Sequence, residues 1–227
     1  MSKIGIKTEL ISFPGSQGTM LKGRIDLPAD KEPNDYALFA HCFTCTRNLK
    51  SIHTLSKTLA QSGMGVCRFD FTGLGDSQGD FANTNLSSNV EDLKAAADFL
   101  GEHYQLPSLL IGHSLGGSAV LQLCHQGYGK AVVTIAAPFS PQHLEHLLKK
   151  NITGAEQDYV VIKVGPGEYR IHKNFFKDLD DNAMRQNIHD LNASLLIVHA
   201  ENDSVINVKE GEQLFAEAPQ PKSFLVL

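Results

Sequence analysis

A serine flanked by glycines lies between an apolar stretch and a helix-forming stretch near the middle of the chain. Residues 109–111 are Leu-Leu-Ile, and residues 112–116 read Gly-His-Ser-Leu-Gly. A serine hydroxyl at its ordinary pKa is a poor nucleophile, so it needs a base and backbone N–H donors beside it. A sharp turn from a strand into a helix meets that need, and glycines allow the turn and its close packing. The pattern predicts Ser114 as a nucleophile; the alternative is that its hydroxyl only caps the following helix.

A carboxylate with a matching role follows another apolar stretch. Residues 195–198 are apolar, and residues 201–205 read Glu-Asn-Asp-Ser-Val. An acid at a strand end can hold the imidazole of a catalytic histidine in the right tautomer and stabilise its protonated form. We expect Asp203 to be this acid, with Glu201 as the weaker candidate. The alternative is that Asp203 only accepts hydrogen bonds from its own turn.

Two cysteines, Cys42 and Cys45, form a Cys-x-x-Cys motif between a predicted strand and a predicted helix. That placement is typical of a thiol–disulfide redox pair. Three residues separate Cys45 from the helix, however, which favours cysteines that only pack the loop. A zinc site formed with His41 would lack a fourth ligand at a suitable spacing, so no metal is expected.

Strands and helices alternate along most of the chain. Hydrophobic periodicity predicts strands at residues 7–13, 20–27, 36–40, 66–70, 108–112, 131–137, 194–200 and 223–227. It predicts helices at residues 49–62, 89–100, 115–126 and 208–216. The first two strands flank a turn-rich break and are expected to form an antiparallel hairpin. The others predict an α/β fold with a mainly parallel sheet and helices on both faces, ending in a buried strand.

Residues 138–192 interrupt that alternation. They contain a helical stretch at 143–150, a hairpin at 159–164 and 168–171, and a second helical stretch at 175–184. An insertion at this point would lie over the carboxyl ends of the strands, where ligands bind in open α/β sheets. We interpret it as a lid, and an elaborated connection between two strands is the alternative.

Composition limits the class of protein. The 227 residues are 42% hydrophobic and carry a net charge of −5, which is typical of a single globular domain over residues 1–227 and argues against a nucleic-acid partner. No apolar stretch is long enough to span a bilayer, so no membrane partner is expected, and the N-terminus has no signal-peptide pattern. Four cysteines without an export signal predict a cytoplasmic location.

Three segments in the same order resemble motifs of the α/β-hydrolase fold. They are residues 40–45 (Ala-His-Cys-Phe-Thr-Cys), residues 68–77 (Arg-Phe-Asp-Phe-Thr-Gly-Leu-Gly-Asp-Ser) and residues 112–117. More narrowly, they resemble the hydrolase half of bacterial proteins in which an OsmC-type, peroxide-reducing domain follows the hydrolase. The resemblance covers essentially the whole chain, which contains no OsmC segment. It implies an α/β-hydrolase fold and an OsmC-type domain as a candidate partner.

The resemblance also implies roles for individual residues. Ser114 would be the nucleophile and Asp203 the acid, with the backbone N–H groups of Phe43 and Leu115 as the oxyanion hole. Each such donor is typically worth about 10²–10³-fold in rate. An apolar acyl pocket is expected from the side chains near this point: Phe43, Thr44, Phe71, Leu115, Phe139, Phe175 and Phe176.

The histidine of the triad is missing from the pattern. In this family it follows the acid along the chain, yet all ten histidines precede Asp203. The side chain of His113 is expected to point away from the serine, and His41 and His199 resemble structural histidines. Four weaker candidates lie in the insertion: His143, His146, His172 and His189. We therefore expect a longer functional chain, whose final helix and base loop follow Leu227, and self-association through the uncovered last strand.

These expectations describe a cofactor-independent serine hydrolase, namely a carboxylesterase acting on small or medium acyl esters. Two other classes of function stay open. Cys42 and Cys45 could form a thiol-redox module beside a peroxide-reducing partner, or the chain could be a catalytically silent binding domain. Peptidase, thioesterase and perhydrolase chemistry fit the same residues, whereas dehalogenases place an aspartate where Ser114 stands.

Overall fold

The computed structural model describes residues 5–180 and 184–227. Its strands are β1 (Ile6–Pro14), β2 (Met20–Pro28), β3 (Asp35–Ala40), β4 (Met64–Phe69), β5 (Leu109–His113), β6 (Ala131–Ile135), β7 (Ile152–Ala155), β8 (Tyr159–Val164), β9 (Gly167–His172), β10 (Ser194–His199) and β11 (Lys222–Val226). Its helices are α1 (Lys50–Gln61), α2 (Leu86–His103), α3 (Leu115–His125), α4 (Pro141–Lys150), α5 (Asn174–Asp180), α6 (Met184–His189) and α7 (Val208–Glu217). None of the helices in the described ranges is long and apolar enough to cross a membrane.

Eight strands form one sheet in the order β1-β2-β4-β3-β5-β6-β10-β11. Strand β2 runs antiparallel to both of its neighbours, and every other pair from β4 to β11 is parallel. The six parallel strands therefore present their carboxyl ends at one edge. This arrangement confirms the predicted hairpin and the predicted mainly parallel sheet.

Helices cover both faces of the sheet, as the alternating pattern predicted. On one face Ile52 of α1 packs with Ala37 and Phe39 of β3. On the other face α2 and α3 contribute Leu93 and Leu121 to the larger core. Helix α3 is buried along almost its whole length, because it lies between the sheet and α2. That position gives the residue at its N-terminus a rigid support.

Helix α2 begins three residues before its predicted start. The side chain of Asn85 accepts a hydrogen bond from the N–H of Ser88, and the hydroxyl of Ser88 accepts one from the N–H of Asn85. This reciprocal cap satisfies backbone donors that hydrophobic periodicity does not register. The apolar pattern therefore located the helix but not its first turn.

The insertion between β6 and β10 contains a small antiparallel sheet, β7-β8-β9, with helices α4, α5 and α6. Strand β7 was not predicted. The helical stretch predicted at residues 175–184 is divided between α5 and α6, and residues 181–183 lie outside the described part. The insertion packs on loops at the carboxyl edge of the main sheet, since the ring of Phe175 lies 4.9 Å from that of Phe43 and Tyr169 lies 5.7 Å from Phe81.

The last strand differs from its prediction. Strand β11 pairs with β10 at the end of the sheet, and Leu225 and Val226 are 49% and 48% exposed. The prediction of a buried strand was wrong because an apolar run records only which residues could be buried. Burial also requires neighbouring elements, and in the described residues β11 lies at the end of the sheet with a strand on one side only.

Candidate active site

Ser114 lies in the turn between β5 and α3, in a strained backbone conformation. Its φ is 54° and its ψ is −123°, a region that costs a residue other than glycine about 1–3 kcal/mol. The turn is held by a hydrogen bond from the N–H of Ser114 to the carbonyl of Ile135 (2.9 Å) and by one from Gly117 to the carbonyl of Ser114 (2.8 Å). The half-buried Ser114 hydroxyl makes no capping bond to the helix, so its oxygen is available for chemistry.

Glycines bring the start of α3 against the end of β3. A Cβ atom at Gly116 would lie 2.5 Å from the carbonyl oxygens of Ala40 and His41, which is closer than atoms can approach. At Gly112 a Cβ atom would collide with the backbone of Gly116. The absence of side chains here allows the N–H of Leu115 to lie beside the loop that follows β3.

The loop after β3 presents the second expected oxyanion donor. The carbonyl of Cys42 accepts a hydrogen bond from the N–H of Cys45 (3.1 Å) and lies 2.8 Å from Nδ1 of His41. In a trans peptide the carbonyl and the following N–H point in opposite directions, so the N–H of Phe43 is directed away from His41. Within residues 5–180 and 184–227, neither Phe43 nor Leu115 uses its backbone N–H in a hydrogen bond.

His41 holds this loop through hydrogen bonds at both of its ring nitrogens. Its side chain is buried, Nε2 accepts a hydrogen bond from the N–H of Phe71 (3.2 Å), and Nδ1 therefore carries the proton that is donated to Cys42. Burial lowers the pKa of His41 to about 4, against the opposing effect of the Cys42 carbonyl. His41 is thus a neutral structural residue, as the sequence predicted, and has no nitrogen left to act as a base.

We expect acid to destabilise the protein through His41. In the unfolded chain His41 binds a proton near pH 6.5, but in the folded protein it binds one only near pH 4. The contribution of neutral His41 to the free energy of unfolding is therefore complete above pH 6.5 and is lost as the pH falls toward 4. The total contribution is about 3 kcal/mol. The free energy of unfolding, measured with urea at several pH values, should depend on pH less steeply in His41→Asn than in the wild type. The difference in slope should correspond to up to one proton. Equal slopes would contradict the assignment, and the exposed-site variant His125→Asn is the control.

A buried ionic cluster fixes the other end of the loop, and the sequence did not reveal it. The guanidinium of Arg47 pairs with Asp70 and lies 2.5 Å from Asp76, and the N–H of Arg47 donates to Asp70 (2.7 Å). The carbonyl of Arg47 accepts a hydrogen bond from Arg68 (2.8 Å). Asp70 at the end of a predicted strand was the only available signal, because nothing local links it to a residue 23 positions earlier.

Asp203 lies in the turn after β10, and one of its two carboxylate oxygens accepts hydrogen bonds from that turn. Its Oδ1 accepts hydrogen bonds from the N–H groups of Val205 (2.8 Å) and Ile206 (2.9 Å), so the local turn role exists. Its Oδ2 accepts no hydrogen bond from the described residues. His199 is not its partner, because Nε2 of that buried ring lies 2.7 Å from the carbonyl of Ile206 and 3.9 Å from Oδ2. The second carboxylate oxygen can therefore receive an imidazole N–H.

Asp203 and Ser114 lie on the same edge, because they follow the carboxyl ends of the parallel strands β10 and β5. Burial lowers the pKa of His113, the residue before Ser114, and the Asp203 carboxylate partly offsets this by raising it. Such an effect requires proximity, since charge interactions fade with distance. No histidine among the described residues forms a hydrogen bond with the Ser114 hydroxyl. The structure thus brings the Ser114 hydroxyl, the N–H groups of Phe43 and Leu115 and the Asp203 carboxylate to one edge of the sheet.

The expected acyl-pocket residues fall into separate groups. The rings of Phe43, Phe175 and Phe176 form a continuous buried set, with centroids 4.9 and 5.9 Å apart. Phe71 packs instead on His41 (4.8 Å). Phe139 is partly buried and donates its N–H to Glu210 of α7, and Thr44 is half-buried.

A separate cavity of about 650 Å³ lies at the amino-terminal edge of the sheet. It is lined by residues at or before the starts of three strands: Asp35, Ser108 and Lys130. It includes no member of the candidate site, which lies at the carboxyl edge where open α/β sheets bind ligands.

The structure joins Cys42 and Cys45 in a disulfide, with Cα atoms 5.3 Å apart. The sequence had left a bonded redox pair and loop-packing thiols as alternatives. The bond closes the turn in which Phe43 lies. The other two cysteines, Cys67 and Cys124, are free and buried.

Comparison with known proteins agrees with this fold. A model of the family described as serine aminopeptidase, S33, matches residues 45–156, which include Ser114. The esterase domain of a Rhodothermus marinus protein, seen in a crystal structure, is 39% identical to this chain. The match covers 98% of this chain and 88% of that one, with a TM-score of 0.78. The chain therefore belongs to the α/β-hydrolase family.

Two more distant relatives are similar over most of this chain. Est1E from Butyrivibrio proteoclasticus, solved with ferulic acid bound, has a TM-score of 0.79 at 17% identity and covers 95% of this chain and 88% of its own, so it supports the fold alone. The lysophosphatidylserine lipase ABHD12 of Danio rerio is 28% identical over 199 residues. That alignment covers 82% of this chain but about half, 48%, of the lipase.

Proposed function

We propose that this α/β hydrolase is a carboxylesterase that forms an acyl-enzyme on Ser114. The observation that carries the proposal is the strained conformation of Ser114. The N–H groups of Phe43 and Leu115, which form no hydrogen bond with any described residue, support it. Strain of this kind persists where the surrounding structure enforces it, and it is frequent at functional sites. The Rhodothermus relative is described as an esterase domain and the Danio rerio relative as a lipase, which supports ester hydrolysis.

The proposed reaction has two halves. The hydroxyl oxygen of Ser114 attacks the ester carbonyl carbon and gives its proton to a histidine, which passes it to the leaving alcohol. The N–H groups of Phe43 and Leu115 donate to the oxygen that becomes negative in the tetrahedral intermediate. Water then attacks the acyl-enzyme with the same base, and Asp203 orients that base through Oδ2. No cofactor takes part.

We propose that the histidine is carried by chain that follows Leu227. Oδ2 of Asp203 supports this, because no donor among the described residues forms the hydrogen bond that the mechanism needs. The N–H of Glu201 donates to the carbonyl of Leu227 (3.0 Å), so chain that continues from Leu227 starts beside the Asp203 turn. A half-exposed apolar face on β6 and β10 gives a following helix a surface to cover; its side chains are Ala131, Val133, Leu196 and Val198.

We also propose that residues 138–192 act as a lid over the acyl site. The contact between Phe175 of the insertion and Phe43 of the loop after β3 supports this role, because opening it would expose the two buried rings. We propose small or medium acyl esters as its substrates. An OsmC-type partner, self-association through β11 and a cytoplasmic location stay predictions of the sequence.

Active-site labelling tests the proposal. We expect a fluorophosphonate to modify Ser114 in a form of the chain extended beyond Leu227, with the adduct located by peptide mass spectrometry. Residues 1–227 alone should react and turn over p-nitrophenyl acetate several orders of magnitude more slowly, because only the oxyanion donors and substrate binding remain.

The outcomes of that experiment separate its two parts. No adduct on Ser114 in the extended form would overturn the esterase proposal. Equal turnover by residues 1–227 and the extended form would place the base within the 227 residues. The four histidines of the insertion would then be replaced one at a time, starting with His143, whose Nδ1 lies 3.6 Å from Glu210.

A further inference from the structure

We propose that Cys42 and Cys45 are a reversible dithiol–disulfide site whose reduction displaces the oxyanion donor Phe43 and slows ester hydrolysis. The effect on hydrolysis rests on the function proposed above, whereas the redox exchange itself does not. The ligand of this site is a dithiol, either a small molecule or a protein that carries a Cys-x-x-Cys pair.

The disulfide spans the residue that it would control. The hydrogen bond from Cys45 to the carbonyl of Cys42 makes residues 42–45 a turn, with Phe43 and Thr44 at its centre. The covalent bond closes the same four residues. When the bond is reduced, the two sulfur atoms must separate to van der Waals distance, which opens the turn. The peptide between Cys42 and Phe43 then loses one of the constraints on its orientation.

The rest of the loop keeps the change local. On one side His41 is fixed by Phe71, and on the other side Arg47 is held by Asp70 through both its backbone N–H and its guanidinium. These anchors lie outside the disulfide ring and involve no sulfur. Reduction should therefore reorient the turn without unfolding the domain.

The four cysteines differ in their access to a reductant. Cys42 and Cys45 are half-buried, whereas Cys67 and Cys124 are buried and free. Burial raises the pKa of Cys67 to about 12 and that of Cys124 to about 11. Since the thiolate is the reactive form, these two thiols are poor partners in exchange. A dithiol should react selectively at the rim of the active site.

The exchange balances as an ordinary two-electron transfer. One thiolate of the dithiol attacks a sulfur of the Cys42–Cys45 bond, forms a mixed disulfide and releases the other cysteine as a thiolate that takes up a proton. The second thiol of the reductant then displaces the remaining cysteine. The products are two cysteine thiols and the disulfide of the reductant, and an oxidised dithiol reverses the reaction.

The oxyanion donor acts on charge that develops only in the transition state. Loss of its alignment should therefore lower kcat and leave KM nearly unchanged. Complete loss of one donor typically costs about 10²–10³-fold. Because His41 still holds the carbonyl of Cys42, we expect a smaller effect on reduction, a fall in kcat of about tenfold with KM within about twofold.

The test measures exchange, loop position and rate on the same protein. Oxidised protein is equilibrated with dithiothreitol and its oxidised form at a range of ratios, free thiols are alkylated, and peptide masses identify them. We expect Cys42 and Cys45 to become alkylated together and reversibly, the backbone amide of Phe43 to shift in ¹H–¹⁵N spectra, and kcat to fall. Cys45→Ser should be locked at the low rate, and the double variant Cys67→Ala/Cys124→Ala should respond like the wild type.

Each other outcome has a defined meaning. Thiols that never form the bond, or a kcat that is equal in the two redox states, would overturn the proposal. If neither redox state hydrolyses esters, the proposed function fails. The ¹H–¹⁵N signal of the Phe43 amide is then the remaining test of the redox switch. A redox-dependent shift of that amide then supports a switch in the loop, and an unchanged position overturns it.

Discussion

Replacing Ser114 with alanine is expected to lower kcat for a p-nitrophenyl ester by about 10⁵–10⁶-fold, in the form of the chain that turns over. The variant keeps the backbone turn and both oxyanion donors but has no atom to attack the carbonyl carbon. The remaining reaction is direct attack by water on the ester, assisted only by substrate binding and by the oxyanion donors. Steady-state kinetics measures the loss of kcat, and fluorophosphonate labelling is measured on the same variant.

Two further variants distinguish a catalytic role from a structural one. Ser114→Gly should lose the same activity yet unfold at a higher temperature, because glycine adopts a φ of 54° without strain. Ser62→Ala, at an exposed helix end, should change neither quantity. If Ser114→Ala retained more than a hundredth of the activity, the hydrolysis would have to occur elsewhere on the protein.

Replacing Asp203 with asparagine is expected to lower kcat by about 10⁴-fold. The amide oxygen can keep the hydrogen bonds from Val205 and Ile206, so the turn should persist and the unfolding temperature should change little. An amide carries no charge, however, and cannot stabilise the imidazolium that forms when the base takes the proton from Ser114. The loss should therefore appear in kcat at every pH at which the enzyme works.

Glu201→Gln is the matched control for Asp203. Glu201 lies in the same turn and is exposed, and it was the weaker candidate for the acid. Its replacement should change kcat by less than about threefold, since an exposed charge is screened by solvent. A large loss in Glu201→Gln together with a small one in Asp203→Asn would reassign the acid to Glu201.

Most of the large sheet could be predicted because its signals are local. Strands such as β3 and β5 are short apolar runs between breaks, and α1 repeats apolar residues with a helical period. Where the signal was weak, the prediction failed. Strand β7 reads Ile-Thr-Gly-Ala and is mostly exposed, and it exists through antiparallel pairing with β8.

The supports of the oxyanion loop could not be predicted, because they join residues far apart in the chain. Arg47 meets Asp70 only after β3 and β4 pair side by side. His41 shows the same limit, since the sequence indicated a structural histidine but not that Phe71 and Cys42 occupy its two nitrogens. Contacts of this kind depend on the order of strands in the sheet, which no local pattern encodes.

The sequence by itself predicted Ser114 and Asp203 as the candidate nucleophile and acid. It also predicted the sharp turn at Ser114 from the flanking glycines, since a sharp strand-to-helix connection places narrow demands on residue type. It also determined the alternation that produces a parallel sheet. Only the tertiary structure decided that the N–H groups of Phe43 and Leu115 and Oδ2 of Asp203 form no hydrogen bond with residues 5–180 and 184–227, and that a disulfide closes the turn around Phe43. These features are relations between separate segments, fixed when α3 packs against the end of β3 and the strands align their carboxyl ends at one edge.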